Sequence, residues 1–255
     1  MASMRQHHPW QPFIRHSEGP VYNNDVSADN SIDHGVTEAP YERRFSPYDF
    51  NGGSVVAISG PDYAIVAADT RLSSGYEILS RNSTKLHPLT EHCVFSGAGC
   101  KNDMNQLQSV LDIDLKVYQH NHRKSMATAS VAQLLSNTLY YRRFFPYYVF
   151  GVLAGVDKDG KGMVYSYDAI GSHELTPYTS SGSGQSFMIP FLDNVIGNRN
   201  RLDAKRDLPA EEVVEIIKDA FVSAGERDIY TGDAVEIMVI TKDGIQKTSY
   251  NLKAD

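Results

Sequence analysis

The hydrophobic positions of the first third of the chain fall into short runs. SVVAIS (54–59) and YAIVAAD (63–69) are β-branched and almost continuously apolar, and GPD between them is a turn. Continuous apolar character is typical of strands buried on both faces, so we expect an internal hairpin here. HCVFSGAG (92–99) predicts a further short strand that ends in small residues.

Two segments in the middle of the chain repeat apolar residues at spacings of three, four and seven. Such spacings place the residues on one face of a helix, which is the face that packs against a core. The first face is Leu107, Val110, Leu111, Leu115 and Tyr118, and the second is Val131, Leu134, Leu135, Thr138 and Leu139. The second helix must end before Pro146.

The last 110 residues alternate between the same two patterns. Residues 147–168 predict a hairpin with Asp159 and Gly160 in its turn. A Gly-rich stretch then leads into a helix that Pro190 kinks or shortens. Residues 207–228 predict the clearest helix, with Asp207 as a candidate cap. Its apolar face is Val213, Ile216, Ile217, Ala220, Phe221 and Ala224.

A final hairpin is predicted with its turn at Asp243 and Gly244. The order is therefore strands, two helices, strands, two helices, strands. This order favours an α+β protein with helices packed outside antiparallel sheets over one built from alternating βαβ units. Residues 1–43 are polar without either periodicity, so we expect a flexible or removable extension there and a single domain over 44–255.

Composition and charge exclude several classes of function. Of 255 residues, 41% are hydrophobic and 22% charged, and the formal net charge is -7, which argues against nucleic-acid binding. No apolar run approaches the ~20 residues that span a bilayer. Cys93 and Cys100 lack the spacing of a CxxC pair and predict two buried, reduced thiols. We expect an intracellular globular protein without a metal or cofactor.

Four blocks together resemble the β-subunits of the 20S proteasome. They are GGSVVAISGPDYAIVAADTRLSSG, RFFPYYVFGVLAGVDKDGKGMVYSYDAIGS, MIPFLDN and ERDIYTGDAVEIMVITKDG, and the resemblance runs from Arg44 to the C-terminus. It implies a four-layer αββα sandwich of the N-terminal nucleophile hydrolase type. It also implies a place in a seven-membered β-ring, with contacts to other β-subunits, to α-ring subunits and to the opposite β-ring, in cytoplasm and nucleus.

The resemblance also implies a set of site residues. Catalytic relatives use an N-terminal threonine freed by self-cleavage after a glycine, and its hydroxyl attacks the peptide carbonyl. Asp69 and Lys85 match the acid and lysine found sixteen and thirty-two positions later in such relatives. Counting back sixteen residues from Asp69 gives Gly53 at the nucleophile position. The remaining matches to the family's site are Ser183, Asp228 and Thr231.

Ser54 is the alternative nucleophile, because it follows a glycine and could be freed by cleavage of the Gly53–Ser54 bond. It lies one residue too close to both Asp69 and Lys85. One residue of slip along a strand moves a side chain about 3.3 Å and turns it to the other face. A bulge could restore the register, but SVVAIS has no glycine to mark one. We therefore expect no catalytic residue, and a mature chain that begins before Gly53, near Arg44.

The remaining candidates have structural interpretations. Asp69 and Lys85 can satisfy each other as a buried pair, which would explain both without catalysis. Arg142 and Arg143 lie among aromatic residues, which suggests nucleic-acid stacking or, as we favour, ion pairs or subunit contacts. His120 and His122 are too poorly spaced to share a metal and are expected to be solvated. SSGSG lacks the lysine of a phosphate-binding loop and is interpreted as a tight turn.

The sequence therefore predicts a non-catalytic structural subunit of the proteasome core, an inactive member of a threonine peptidase family. The assembled complex, by the same resemblance, degrades ubiquitin-tagged and unfolded proteins. The chain would supply the faces that close one ring and could line a neighbour's substrate pocket. The alternative is an N-terminal nucleophile hydrolase that uses Ser54.

Overall fold

The computed structural model describes residues 46–198, 200 and 207–253. Its strands are β1 (Ser54–Ser59), β2 (Ala64–Asp69), β3 (Leu72–Ser74), β4 (Glu77–Ser80), β5 (Leu86–Thr90), β6 (Cys93–Gly99), β7 (Val149–Val156), β8 (Gly162–Tyr167), β9 (His173–Leu175), β10 (Tyr178–Gly182), β11 (Ala234–Thr241) and β12 (Gly244–Asn251). Its helices are α1 (Lys101–His122), α2 (Thr128–Tyr141), α3 (Gln185–Leu192) and α4 (Ala210–Gly225).

Ten of these strands form two antiparallel sheets. The first sheet has the order β10-β1-β2-β11-β12 and the second the order β5-β6-β7-β8-β9, while β3 and β4 form a separate hairpin. Along β1 and β2 the pairing runs without a shift from Val55 opposite Ala68 to Ser59 opposite Ala64. The β1–β2 pair therefore contains no bulge, and the expected buried hairpin is confirmed.

Three apolar clusters show that the sheets and helices form four layers. Val56 and Ile58 of β1 pack with α3 and α4. Val55 and Ala57, which point the other way, pack between the sheets against residues such as Val152 of β7. The outer face of the second sheet packs on α1 and α2. The order is thus α3/α4, first sheet, second sheet, α1/α2, and the predicted αββα sandwich is confirmed.

The helix predictions are confirmed in position, with two corrections in detail. α1 and α2 bury the leucines of their predicted faces except Leu134, which like Tyr118 is only partly buried. Asp207 is not the cap of α4: the N-cap is Pro209, and no side chain caps this end. Proline fits there because its φ of -69° is already the fixed value of its ring. Asp207 is left exposed.

Pro190 lies inside α3, which is only eight residues long and continues directly as a π-helical turn, Asp193–Gly197. The missing N–H of proline removes the helical hydrogen bond to the carbonyl of Ser186 near the start of α3. The final hairpin turns one residue earlier than expected. Thr241 pairs with Gly244, so Lys242 and Asp243 form the loop and Gly244, at φ 125°, begins β12.

The sequence patterns did not predict β3, β4, β5, β9 or β10. β10 is YTSSG, and its small polar residues carry no apolar alternation although most of them are buried. β5 contains Pro88, which lowers its strand propensity and is tolerated because β5 lies at the edge of its sheet. These strands form because neighbouring strands supply hydrogen-bond partners, which a local pattern does not record.

Candidate functional site

Gly53 lies immediately before β1 and faces the space occupied by Lys85 and Asp69. A Cβ atom built on Gly53 would stand 2.7 Å from Nζ of Lys85 and 3.0 Å from Oδ1 of Asp69. Gly53 also has φ 87°, a conformation that favours glycine. The residue found by counting back sixteen positions from Asp69 therefore points at the acid–lysine pair, but it has no side chain and no room for one.

Asp69 and Lys85 form a buried ion pair at the end of β2. The Nζ atom of Lys85 donates to Oδ1 of Asp69 at 3.0 Å, to the carbonyl oxygen of Asp69 at 2.8 Å and to that of Arg71 at 2.7 Å. The three donors of the ammonium group are thus all used within the protein. The two side chains are 0% and 2% exposed. The pair satisfies itself, as the structural interpretation expected.

The Asp69 carboxylate also accepts hydrogen bonds from the backbone. Its Oδ1 accepts from the Ser54 amide at 2.8 Å, and its Oδ2 accepts from the amides of Arg71 and Gly232 at 3.3 and 3.4 Å. Burial raises the pKa of this carboxyl, while the charge of Lys85 and the amide donors act in the opposite direction. Asp69 therefore holds the start of β1, the end of β2 and the segment before β11 together.

Ser54 points away from this pair into a second polar cluster. Its Oγ lies 2.6 Å from Oγ1 of Thr231 and accepts from the amide of Gly184 at 2.8 Å. Oδ2 of Asp228 accepts from both Thr231 and Ser183, each at 2.6 Å. The structure thus gathers Ser54, Ser183, Asp228 and Thr231 into one hydrogen-bonded group. Gly53, Asp69 and Lys85 form the other group.

The separation of Ser54 from the Asp69–Lys85 pair follows from strand geometry. Successive side chains of a strand point to opposite faces. Val56 and Ile58, on the face of Ser54, pack toward α3 and α4, while Val55 and Ala57 pack between the sheets on the face of Gly53. Ser54 is completely buried, and its hydroxyl has partners other than Lys85. The slip of one residue thus puts Ser54 on the wrong face of the strand.

The carbonyl of the Gly53–Ser54 bond is also held in place. The amide of Ser183 donates to it at 3.0 Å, and Oγ of Ser183, which gives its proton to Asp228, lies 3.3 Å away. Ser54 Oγ meanwhile bonds Thr231 and Gly184. The hydroxyl that self-cleavage would require is therefore engaged in other hydrogen bonds.

The segment before Gly53 is bonded into the fold through Asn51, which the sequence analysis missed. Its Oδ1 accepts a hydrogen bond at 2.9 Å from the amide of Lys101, which is the first residue of α1. Its Nδ2 donates to the Ser73 carbonyl at 3.1 Å. Its backbone bonds Gly99 and Ser73. Asn51 thus satisfies a free amide at the start of α1. The only sequence signal was an asparagine beside two glycines.

A second missed feature is the ion cluster around Asp233. Nε of Arg71 donates to Oδ2 of Asp233 at 2.8 Å, and Nη1 of Arg81 donates to Oδ1 at 2.5 Å. Although burial opposes ionisation, the hydrogen bonds from the two arginines lower the pKa of Asp233. The cluster joins Arg71, two residues after Asp69 in the sequence, to Asp233 in the segment just before β11. The TR pair that follows Asp69 in the sequence was its only local signal.

The other candidates are not part of this site. His120 and His122 are exposed, and Cys93 and Cys100 are buried free thiols, as predicted. Among the described residues Arg142 and Arg143 lie over aromatic rings and form no ion pair, and the favoured subunit contacts stay a prediction. Across the described ranges, no grouping of three or more His, Cys, Asp or Glu side chains could bind a metal, and no helix has the length and apolarity to cross a membrane.

The fold and the arrangement around Gly53 define a class of protein, and comparison with known families gives the same class. The family model described as "Proteasome subunit" matches residues 49–240. This match covers more than half of the chain, including the second sheet, all of the first sheet except β12 and the end of β11, and both polar clusters. The chain belongs to the proteasome subunit family.

Within the family, the chain is similar to β-subunits that carry two type names, beta type-1 and beta type-6. It is 49% identical to proteasome subunit beta type-1 of Arabidopsis thaliana over 216 residues, which cover 83% of this chain and 97% of the relative. It is 50% identical to proteasome subunit beta type-1 of Drosophila melanogaster over 83% of this chain and 91% of the relative. It is 38% identical to proteasome subunit beta type-6 of Saccharomyces cerevisiae over 86% of this chain and 95% of the relative.

Proposed function

We propose that this chain is a non-catalytic, structural β-subunit of the 20S proteasome core. The observation that carries the proposal is Gly53: the position that faces Lys85 and Asp69 has no hydroxyl, and a side chain there would overlap Lys85. Without a nucleophile opposite the acid–lysine pair, the chain lacks the group that attacks a peptide bond.

A second observation concerns the amine that this chemistry requires. In an N-terminal hydrolase the nucleophile's own α-amine manages the proton, so the chain must begin at the nucleophile. Here the backbone runs on ahead of Gly53, and Asn51 connects it to α1 and β3. These bonds support a mature chain that retains residues before Gly53.

The role we propose is to complete one ring. The relatives named above are called proteasome subunits, and a closed ring needs each member to present matching faces to two different neighbours. We propose contacts with neighbouring β-subunits in a seven-membered ring, with α-ring subunits and with the opposite β-ring. The complex would be a threonine-type endopeptidase of the ubiquitin-dependent pathway in cytoplasm and nucleus, and this chain would need no cofactor.

Two measurements on the intact particle test the proposal. The chain is purified within the core particle, treated with a peptide epoxyketone that forms an adduct with N-terminal nucleophiles, and examined by intact-mass spectrometry. We expect adducts on other subunits, none on this chain, and an N-terminus ahead of Asn51. A mature N-terminus at Ser54, or an adduct on Ser54, would establish the hydrolase alternative instead.

A further inference from the structure

The end of α2 carries an exposed set of aromatic and basic side chains, which we call the aromatic–arginine patch. It consists of Tyr140, Tyr141, Arg142, Arg143, Phe144 and Phe145. Tyr141 is 89% and Phe144 93% exposed, and Tyr140 and Phe145 are more than half exposed. Clustered exposed aromatics mark interaction surfaces, and Tyr and Arg are enriched among the residues that dominate binding.

The two arginines of the patch have aromatic neighbours but no acidic ones. The guanidinium of Arg142 lies 5.3 Å from the ring centre of Tyr147, and that of Arg143 lies 5.7 and 5.5 Å from those of Tyr140 and Phe144. No Asp or Glu occurs between residues 136 and 156. Within the described part of the chain neither arginine belongs to an ion pair. The charges are available to carboxylates of another molecule.

The patch is held in place by the body of the protein. The ring of Tyr48 lies 5.8 Å from that of Phe145, and its hydroxyl donates to the carbonyl of Pro146 at 2.9 Å. On the other side, an open groove of about 510 Å³ is lined by Tyr140, Tyr141 and Ile170 among others. Ser136 and Gly171 also line this groove, and the Ser136 hydroxyl donates to the Gly171 carbonyl at 2.7 Å. A surface that is already ordered loses less entropy when it binds.

We propose that the aromatic–arginine patch docks against a neighbouring proteasome subunit that presents carboxylates around an apolar side chain. The apolar side chain would enter the groove beside Tyr141, and the carboxylates would pair with Arg142 and Arg143. Bidentate pairing suits a guanidinium that already stacks on a ring.

A second copy of this chain is disfavoured as the occupant. In a two-fold interface the same patch meets itself, which would place arginines opposite arginines without an acid between them. A different subunit can supply the missing carboxylates. This inference rests on the proposed function, because it assumes that the chain enters the proteasome core.

The test uses full-length tagged chain co-expressed with the other core subunits, and it measures the tagged chain recovered in assembled particles. One variant is Arg142→Glu/Arg143→Glu and the other is Tyr141→Ser/Phe144→Ser. The matched controls are Lys116→Glu/Lys124→Glu, which makes the same charge change, and Ile113→Ser/Val117→Ser, which changes exposed apolar residues of α1. A photo-crosslinking residue at position 141 identifies the occupant.

We expect each patch variant to enter particles about tenfold less than the wild type, since interface aromatics and arginines often carry an order of magnitude or more in affinity. The controls should enter normally, and the crosslink should join position 141 to a different subunit near an Asp or Glu. Normal incorporation of both patch variants, losses equal to those of the controls, or a crosslink only to another copy of this chain would overturn the inference. Wild-type chain that stays outside particles would instead refute the proposed function.

Discussion

A Cβ atom built on Gly53 would stand 2.7 Å from Nζ of Lys85, nearer than non-bonded heavy atoms of these types approach. Lys85 cannot simply move aside, because its ammonium donates to Asp69 and to the carbonyl of Arg71 in a buried site. The lysine and the missing side chain therefore compete for the same space. Substitutions at and around Gly53 can therefore test how these residues contribute to stability and whether any of them is catalytic.

Replacing Gly53 by threonine should destabilise the protein without creating a peptidase. The new side chain would meet Lys85 and would also sit at φ 87°, so we expect a loss of about 3 kcal/mol or more in the free energy of unfolding. Urea unfolding and reaction with the epoxyketone measure the two effects. Gly75→Thr is the control, because Gly75 also has a positive φ but nothing lies within 4 Å of its Cβ position. An adduct on the new threonine would contradict the prediction.

Breaking the buried ion pair should cost far more than breaking an exposed one. Lys85→Met leaves the Asp69 carboxylate buried without its cation, for which we expect a loss of about 3–5 kcal/mol. Lys218→Met, which removes an exposed pair with Glu215, should cost at most about 1 kcal/mol. Urea unfolding of both variants provides the comparison. Similar losses would mean that the Asp69–Lys85 pair does not hold the site together.

Replacing Ser54 by alanine should affect stability and leave catalysis by the particle intact. The change removes the acceptor of the Gly184 amide and the partner of Thr231 in a fully buried position, at a cost of about 1–3 kcal/mol. Ser59→Ala, on the same strand, removes a less buried hydroxyl that bonds the Pro177 carbonyl and should cost less. Particle peptidase rates measured beside unfolding would detect any catalytic role, since a nucleophile could not be removed without loss of activity.

Stability should decrease as the pH falls from about 6.5 to about 4 because of His87. Burial and the positive charge of Lys101 lower the pKa of this histidine to about 4, although the negative charge of Glu236 acts in the opposite direction. In that range the unfolded chain, whose histidine has a pKa of about 6.5, binds a proton that the folded protein does not, so the free energy of unfolding falls with pH. Across this pH range His87 is expected to lower the free energy of unfolding by about 2–3 kcal/mol.

Unfolding of a His87→Gln variant across this pH range isolates the effect. Its free energy of unfolding should vary less steeply with pH than that of the wild type. His120→Gln is the matched control, because it makes the same substitution at an exposed position away from His87. A His87→Gln slope equal to that of the wild type would show that His87 is not the group responsible.

Asn51 should matter for stability although it lies ahead of the whole sandwich. Asn51→Ala removes the acceptor of the Lys101 amide at the start of α1, and loss of such an acceptor costs about 1–2 kcal/mol. Asn137→Ala, which removes an exposed hydrogen bond with Gln133, is the control and should be nearly neutral. Thermal unfolding of both variants tests whether the segment before Gly53 is part of the folded unit.

The sequence by itself determined the apolar runs of β1 and β2, the faces of α1, α2 and α4, and the sixteen-residue interval between Gly53 and Asp69. These are local properties, because they can be counted along the sequence. The periods of strands and helices, and the number of residues between two positions, do not depend on what packs against them. The family resemblance added Ser183, Asp228 and Thr231. Even so, the sequence did not specify that Ser54 would bond to Thr231, which is 177 residues away.

Only the tertiary structure decided the contacts that make the site what it is. Asn51 accepts from the first amide of α1, Arg71 and Arg81 bond Asp233, and Lys85 fills the space beside Gly53. These contacts form because the fold brings distant segments within hydrogen-bond distance. The polar strand β10 forms for the same reason, since its backbone pairs with β1. Side-chain and backbone hydrogen bonds between distant segments depend on how layers pack, and no spacing along the chain encodes that directly.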